Sequence, residues 1–355
     1  MKKKKILFLG ETYRQDAIIW INGLKEFGGF EIVTWELKNP SYGILNRIIR
    51  IIEFTSALSK IKSIIKTQKP DMVIAERTTS YGFLAALSGV QPIVIAQQGI
   101  SDLWPETSIL LPIKKQIQNY AFKKAHLIHA WGPVMTDAMK KANVDMHKVL
   151  ILPKGIDLEV FENKKKDNLN TINAIVTRSL SAEYRHDIVL KAFAILNKKG
   201  IDFKFTIVGD GPQLSALKEL AKKLKIETKI IFTGRIPNVL LPELLQKANF
   251  YISMPITEGV STSLFEAMAT NCYPIVTDIT GNQSWIKHRD NGQLVTVDNY
   301  QMLASELIWA IGNPTYIEQA IQKNRTFVEQ NANYTVNMKR IADRYHELIN
   351  ATKSN

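Results

Sequence analysis

Apolar residues recur along this chain in short runs separated by longer amphipathic stretches. In the first half the runs lie at Lys5–Gly10, Glu31–Glu36, Asp71–Ala75, Pro92–Ala96, His126–Ala130 and Val149–Leu152. Segments of helical length, such as Asp16–Phe27 and Thr78–Val90, fall between them. Short apolar runs alternating with helices predict βαβ units around a parallel sheet. The polar stretch Glu162-Asn163-Lys164-Lys165-Lys166-Asp167-Asn168 interrupts the rhythm and reads as a linker. The rhythm then restarts, with runs at Asn173–Thr177, Lys204–Val208, Lys229–Thr233, Phe250–Met254, Tyr273–Thr277 and Gln293–Val297.

This pattern predicts an α/β protein of two doubly wound domains facing a cleft, residues 1–162 and 170–332. A helix within 333–355, centred on Tyr334–Ile349, is expected to return toward the first domain. The length of 355 residues agrees, being more than one hydrophobic core usually serves. Ligands of doubly wound sheets bind outside the carboxyl ends of the strands, so the chemistry is expected there.

Composition changes this picture little: 45% hydrophobic and 22% charged residues are ordinary for a globular protein. The single cysteine, Cys272, leaves no partner for an internal disulfide and fits a reducing compartment. One cysteine and six histidines argue against a structural zinc site. The lead-in Met1–Lys5 is basic, but the apolar run behind it ends at Gly10, too early for a secretory segment. No stretch approaches the roughly 20 apolar residues of a membrane-spanning helix. The expectation is a cytoplasmic protein, at most peripheral on the inner face of the membrane.

Charge adds a partner. The net charge is +13, and residues 1–160 carry 22 Lys and Arg against 14 Asp and Glu. An excess of that size attracts anionic partners.

The chemistry concentrates in Ser253–Ala269. An apolar run ends near Met254, the loop holds Glu258 and Gly259, and Ser261 or Thr262 is a good first residue for a helix. Glycine lets a backbone approach a ligand closely, and the free N–H groups of a helix start attract phosphate. Carboxylates accept hydrogen bonds from sugar hydroxyls. Glu266 stands among Leu264, Phe265, Ala267, Met268 and Ala269, where an unpaired carboxylate is costly to bury.

The spacing of Glu258 and Glu266 in a strand–loop–helix resembles the signature of retaining GT-B glycosyltransferases, family 4 type. Pro153-Lys154-Gly155-Ile156-Asp157 with Phe161 resembles the hinge segment of that family. Val208-Gly209-Asp210-Gly211-Pro212 resembles its V-G-x-G-P turn, Phe232-Thr233-Gly234 its F-x-G, and Asn291-Gly292 its N-G-x-L-V stretch. The resemblance spans nearly all of residues 1–330 and implies two Rossmann-like domains, the second holding a UDP- or GDP-linked sugar as substrate and no cofactor.

It also implies roles. Glu266 would hold the ribose and Glu258 the donor sugar. Backbone around Gly259, Val260, Ser261, Thr262, Ser263 and Leu264 would cradle the diphosphate, with Gly209 and Gly211 forming the adjoining turn. Gly234, Arg235 and Ile236 would meet the base. Arg178 and Arg185 would neutralise the diphosphate, although Arg185-His186 replaces the family's Lys-Gly. Gly10 and Glu11 end the first strand, where the family has a diphosphate and acceptor loop, here with one glycine instead of two. Asp102, in Gln97–Asp102, stands as acceptor contact or proton acceptor, without the usual histidine. His126 and His129 flank a buried strand and read as structural. No Asp-x-Asp occurs, the nearest pattern being Asp157-Leu158-Glu159 in the hinge, so metal-independent transfer is expected.

The expected function is retaining transfer of a hexose-type sugar to a glycan or lipid-linked acceptor, in cell-surface polysaccharide synthesis. The basic, isoleucine-rich stretches Tyr42–Lys66 and Leu110–Lys124 add an anionic membrane surface as partner. A GT-B nucleotide-sugar epimerase would not need the glutamate pair. A non-enzymatic membrane or nucleic-acid module fits the charge, but no aromatic–basic cluster suited to stacking bases accompanies it; no nucleic-acid partner is expected. A nicotinamide enzyme would need a G-x-G-x-x-G after the first strand, which is missing.

Overall fold

The computed structural model describes residues 3–38, 44–97, 109–166 and 168–354; Asp102 lies outside them. The chain forms two compact units, Met1–Lys154 with Thr335–Asn355, and Gly155–Tyr334.

The first unit holds strands β1 (Lys5–Leu9), β2 (Glu31–Trp35), β3 (Met72–Glu76), β4 (Ile93–Gln97), β5 (Leu127–Ala130) and β6 (Val149–Ile151). They join as a parallel sheet in the order β2-β1-β3-β4-β5-β6. Strands β3, β4 and β5 are buried along their whole length, which is why they read as unbroken apolar runs. Helices α1 (Gln15–Gly28), α2 (Ile44–Gln68), α3 (Phe83–Ser88), α4 (Leu111–Lys124) and α5 (Thr136–Lys141) connect them. Helix α1 stops at Gly29, whose left-handed backbone returns its N–H to the carbonyls of Leu24 and Lys25.

One expected helix, Thr78–Val90, takes a different form. Its first part, Arg77–Gly82, is a wide π turn, and regular α-helix begins only at Phe83. Arg77 enters that turn in the left-handed region, at φ 63°. The neighbouring threonines are β-branched and poor residues for a tight helix start.

The second unit holds β7 (Ile172–Thr177), β8 (Phe203–Val208), β9 (Ile230–Gly234), β10 (Phe250–Ser253), β11 (Tyr273–Thr277) and β12 (Gln293–Val295). All pair parallel in the order β12-β11-β10-β7-β8-β9. Its helices are α6 (His186–Lys198), α7 (Leu214–Lys223), α8 (Leu241–Lys247), α9 (Thr262–Ala269), α10 (Thr280–Gln283), α11 (Tyr300–Ile311) and α12 (Pro314–Asn331). One face of the sheet is closed by α6, where Phe193 stacks on Phe205 with ring centres 4.8 Å apart. The other face is closed by α9 through Leu264, Phe265 and Met268 against Tyr251 and Val276.

The last helix, α13 (Tyr334–Ser354), belongs to the first unit from Thr335 onward. His346 stacks on Phe30 at 4.2 Å, and the Tyr345 hydroxyl lies 3.0 Å from His129 Nδ1. His129 is completely buried, and that burial pulls its pKa down to about 4. The ring is therefore neutral: Nε2–H donates to the Leu152 carbonyl at 2.8 Å and Nδ1 accepts from Tyr345. His126 accepts the Ile93 N–H. Both histidines hold strands together.

Candidate active site

In the second sheet the strand order reverses between β7 and β10, and such a reversal opens a crevice at the strand ends. The chain leaves β7 at Thr177-Arg178 and leaves β10 toward Glu258. Helix α9 then opens with Ser261 as its cap, the hydroxyl accepting the Leu264 N–H at 3.1 Å. Gly281 lets the loop settle: a Cβ there would lie 2.1 Å from the Glu258 carbonyl oxygen.

Arg178 organises this loop. Its Nη2 donates to both Glu258 Oε2 and Ser261 Oγ, and the Arg178 and Glu258 side chains are each only 13% exposed. The Tyr184 ring covers the guanidinium at 5.2 Å. Burial opposes the charge of Arg178, but Tyr251, Glu258 and Tyr184 outweigh it and hold the pKa above the ordinary arginine value.

Glu266 sits on the same helix, and no described residue donates a hydrogen bond to its carboxylate. Burial pushes its pKa up to about 7, against the pull of Arg178. Glu266, Arg178, Ser263, Gly209, Arg235 and Ile236 line one cavity of about 280 Å³, together with Thr177, Ser179, Val208, Asn238 and Leu241. The structure thus brings together residues from four separate motifs.

The glycines of the adjoining turns, of which Gly209 lines the cavity, are required by close packing at Gly209 and Gly211 and by a left-handed backbone, φ 69°, at Gly234. Gly209 has φ 147°, and a Cβ on it would stand 2.1 Å from the Arg178 carbonyl oxygen. A Cβ on Gly211 would stand 2.7 Å from the Leu180 carbonyl, and the Leu180 backbone bonds Asp210 and Gln213. Gly234 accepts the Gly209 N–H at 3.0 Å. Gly209→Ala is expected to lower stability by about 2–4 kcal/mol, because strain and a backbone clash coincide. A urea titration checks this, and a midpoint equal to the parent's would show that the turn has room.

Arg185 is placed differently. It caps α6 in the left-handed region, at φ 49°, with Nε donating to Asp187 at 3.2 Å and Nη1 paired with Asp298. It does not line the cavity that holds Arg178. His186, behind it, donates its Nε2–H to the Ser179 carbonyl at 3.0 Å.

In the first sheet the order reverses between β1 and β3. Gly10 and Glu11 end β1 there. Arg77 holds the Glu11 carboxylate with both nitrogens, at 3.1 and 2.6 Å, while Glu76 accepts the Glu11 N–H at 3.0 Å. A Cβ on Gly10 would meet the Glu76 carboxylate at 2.5 Å. Lys154 reaches the Asp16 carbonyl at 2.6 Å and lies over the Trp131 ring; burial pulls its pKa down to about 8. The sequence reading overlooked Glu76, Arg77 and the aromatic shell of Arg178. A charge ending the apolar run Met72–Ala75 was a usable signal for Glu76. The Arg77–Glu11 pair joins residues far apart in the chain and leaves no local trace.

Both units of the chain match known families. The family model for glycosyl transferases group 1 matches residues 158–327, and that for glycosyl transferase 4-like matches residues 5–130. The UDP-Gal:alpha-D-GlcNAc-diphosphoundecaprenol alpha-1,3-galactosyltransferase of Escherichia coli is 22% identical over 323 residues, covering 86% of this chain and 82% of that protein. The alpha-monoglucosyldiacylglycerol synthase of Streptococcus pneumoniae is 29% identical over 150 residues, 39% of this chain and 34% of that protein. The crystal structure of Anabaena Alr3699/HepE in complex with UDP has a TM-score of 0.78 at 16% identity, over 98% of this chain and 100% of that one. With both sheets matched, and with the glutamates, the arginine and the glycine turn meeting at one strand crossover, this chain belongs to the group 1 glycosyltransferases and has their GT-B fold.

Proposed function

We propose that this enzyme transfers a hexose, with retention and without a metal ion, from a nucleoside diphosphate donor to a lipid-linked or other glycan acceptor in cell-surface polysaccharide synthesis. The observation that carries the reading is the cavity shared by Glu266, Arg178, Ser263, Gly209, Arg235 and Ile236. Glu266, with no internal donor, is free to accept both ribose hydroxyls. Backbone at Arg235 and Ile236 meets the base. The opening turn of α9, at Thr262 and Ser263, offers N–H groups to the diphosphate, the Leu264 N–H being held by the Ser261 cap.

Glu258 contacts the donor sugar from the loop. Arg178 carries the main catalytic charge: negative charge grows on the diphosphate as the glycosidic bond breaks, and a fixed cation stabilises that state most. Arg185 joins it only after exchanging Asp187 or Asp298 for phosphate. Uridine is the preferred base, supported by the UDP named in the Escherichia coli and Anabaena proteins. The acceptor enters beside Gly10 and Glu11, with Asp102 as contact or proton acceptor.

Thermal unfolding with added nucleotides tests the donor. At a hundredfold excess over Kd, UDP is expected to stabilise the protein by about 2.7 kcal/mol, a shift of several degrees in Tm, and adenosine diphosphate to give no shift. Equal responses to all nucleoside diphosphates would refute base selection. With a UDP-hexose and a chelator present, NMR of the product should show the donor's anomeric configuration; an inverted product would refute retention.

A further inference from the structure

The cavity of the second unit spans the ends of three neighbouring strands. Thr177 and Arg178 stand at the end of β7, Val208 and Gly209 at the end of β8, and Arg235, Ile236 and Asn238 follow β9. Neighbouring strands lie about 4.8 Å apart, so the cavity runs roughly 10 Å across the sheet. Its two ends differ in chemistry. The β7 end has the Arg178 guanidinium and the opening turn of α9, both suited to phosphate. The β9 end has the apolar side chains of Ile236 and Leu241, which pack on the core beneath, and the only amide in the lining, Asn238.

Little of the backbone at the β9 end is left to read a ligand. The Gly234 carbonyl accepts the Gly209 N–H at 3.0 Å. Pro237 has no N–H, and its carbonyl accepts the Leu240 N–H at 3.0 Å. The Asn238 carbonyl accepts the Leu241 N–H and closes the turn Asn238–Leu240. Among the described residues of this segment, that leaves the backbone of Arg235 and Ile236 and the Asn238 N–H. Side chains must supply the rest. The Arg235 guanidinium only donates, whereas the Asn238 amide both donates and accepts. Asn238 is exposed, and its amide bonds no described residue.

We infer that Asn238 holds the pairing edge of the uracil ring, with Oδ1 accepting from N3–H and Nδ2 donating to O4. An amide presents a donor and an acceptor side by side, as that edge of uracil does, so the two meet through a pair of hydrogen bonds. Ile236 and Leu241 give the ring an apolar setting. Turned over, the same amide suits the corresponding edge of cytosine, so Asn238 sets affinity for a pyrimidine edge and not the choice between uridine and cytidine. The inference deepens the reading of a UDP-linked donor and rests on it, supported by the UDP named in the Escherichia coli and Anabaena proteins. It adds a side chain to a base site otherwise made by the backbone of Arg235 and Ile236.

Calorimetric titration of the full chain with UDP and with its N3-methyl analogue tests this. In the parent, methylation is expected to weaken binding about thirtyfold, since it removes one hydrogen bond and sets a methyl group against the Asn238 oxygen. Asn238→Ala should weaken UDP about thirtyfold and bind the two ligands within about threefold of each other. Its Tm without nucleotide should equal the parent's, because the amide is exposed. Asn238→Asp keeps an acceptor for N3–H and loses the donor to O4, so it should bind UDP weakly and still reject the methylated analogue. Unchanged UDP affinity in Asn238→Ala, or equal rejection of the analogue by parent and Asn238→Ala, would overturn the inference. Failure of UDP to bind the parent would sink the donor reading itself; UDP binding that Asn238→Ala leaves unmoved would sink the role of Asn238 alone.

Discussion

Glu266→Gln is expected to lower kcat/KM about a thousandfold and, at pH 8, to make the protein more stable than its parent. Both effects follow from where the carboxyl lies. Burial raises its pKa in the folded, donor-free enzyme to about 7, whereas the unfolded chain titrates near the ordinary glutamate value. Between those two values the folded state holds more protons than the unfolded state. Stability therefore falls as pH rises through that window, and the full cost, about 3 kcal/mol, stands above pH 7. Glutamine keeps the shape and does not ionise, so its profile between pH 5 and 8 should lack that decline.

Activity moves the other way. Ribose hydroxyls donate to a carboxylate, and two charge-assisted hydrogen bonds account for a loss of that size. Donor binding favours the ionised form, so affinity for a UDP-hexose should rise from pH 6 to pH 8 in the parent and stay level in the variant. Chemical denaturation across pH and steady-state kinetics give the two readouts. Activity within tenfold of the parent, or an unchanged stability profile, would refute the placement of Glu266.

Much of this fold was legible because parallel strands buried on both faces leave continuous apolar runs. The expected Tyr273–Thr277 is the observed β11, and Lys204–Val208 differs from β8 by one residue. The π turn at Arg77–Gly82 was not legible, and neither was the pairing of its first residue, Arg77, with Glu11 from a distant strand end. The cavity at the β7–β10 crossover was legible where chemistry and backbone demand the same residue type. Gly209 must lack a side chain to pass the Arg178 carbonyl, and Ser261 must offer an oxygen to cap α9. What a spacing cannot show is which groups engage one another. Arg178 and Arg185 look alike in the sequence, yet one lines the cavity and the other is held by Asp187 and Asp298.

That contrast makes Arg178 the residue whose loss should cost most after Glu266. Arg178→Ala is expected to lower kcat about a thousandfold, the usual scale for removing a group that stabilises developing negative charge. It should also destabilise the fold by about 1–3 kcal/mol, since Glu258 and Ser261 both lose their partner in a largely buried setting. Arg178→Lys restores the charge without the planar fork that bridges two oxygens, and should recover only part of the rate. A merely structural role for Arg178 predicts something else, because Glu258→Gln relieves the unpaired carboxylate. In the double variant Arg178→Ala, Glu258→Gln, stability should then return toward the parent while kcat stays far below that of Glu258→Gln alone. The cycle separates the two roles because the two residues are in direct contact and their effects couple. Recovery of kcat to the level of Glu258→Gln alone, together with stability, would mean that Arg178 holds the loop and takes no part in departure of the diphosphate.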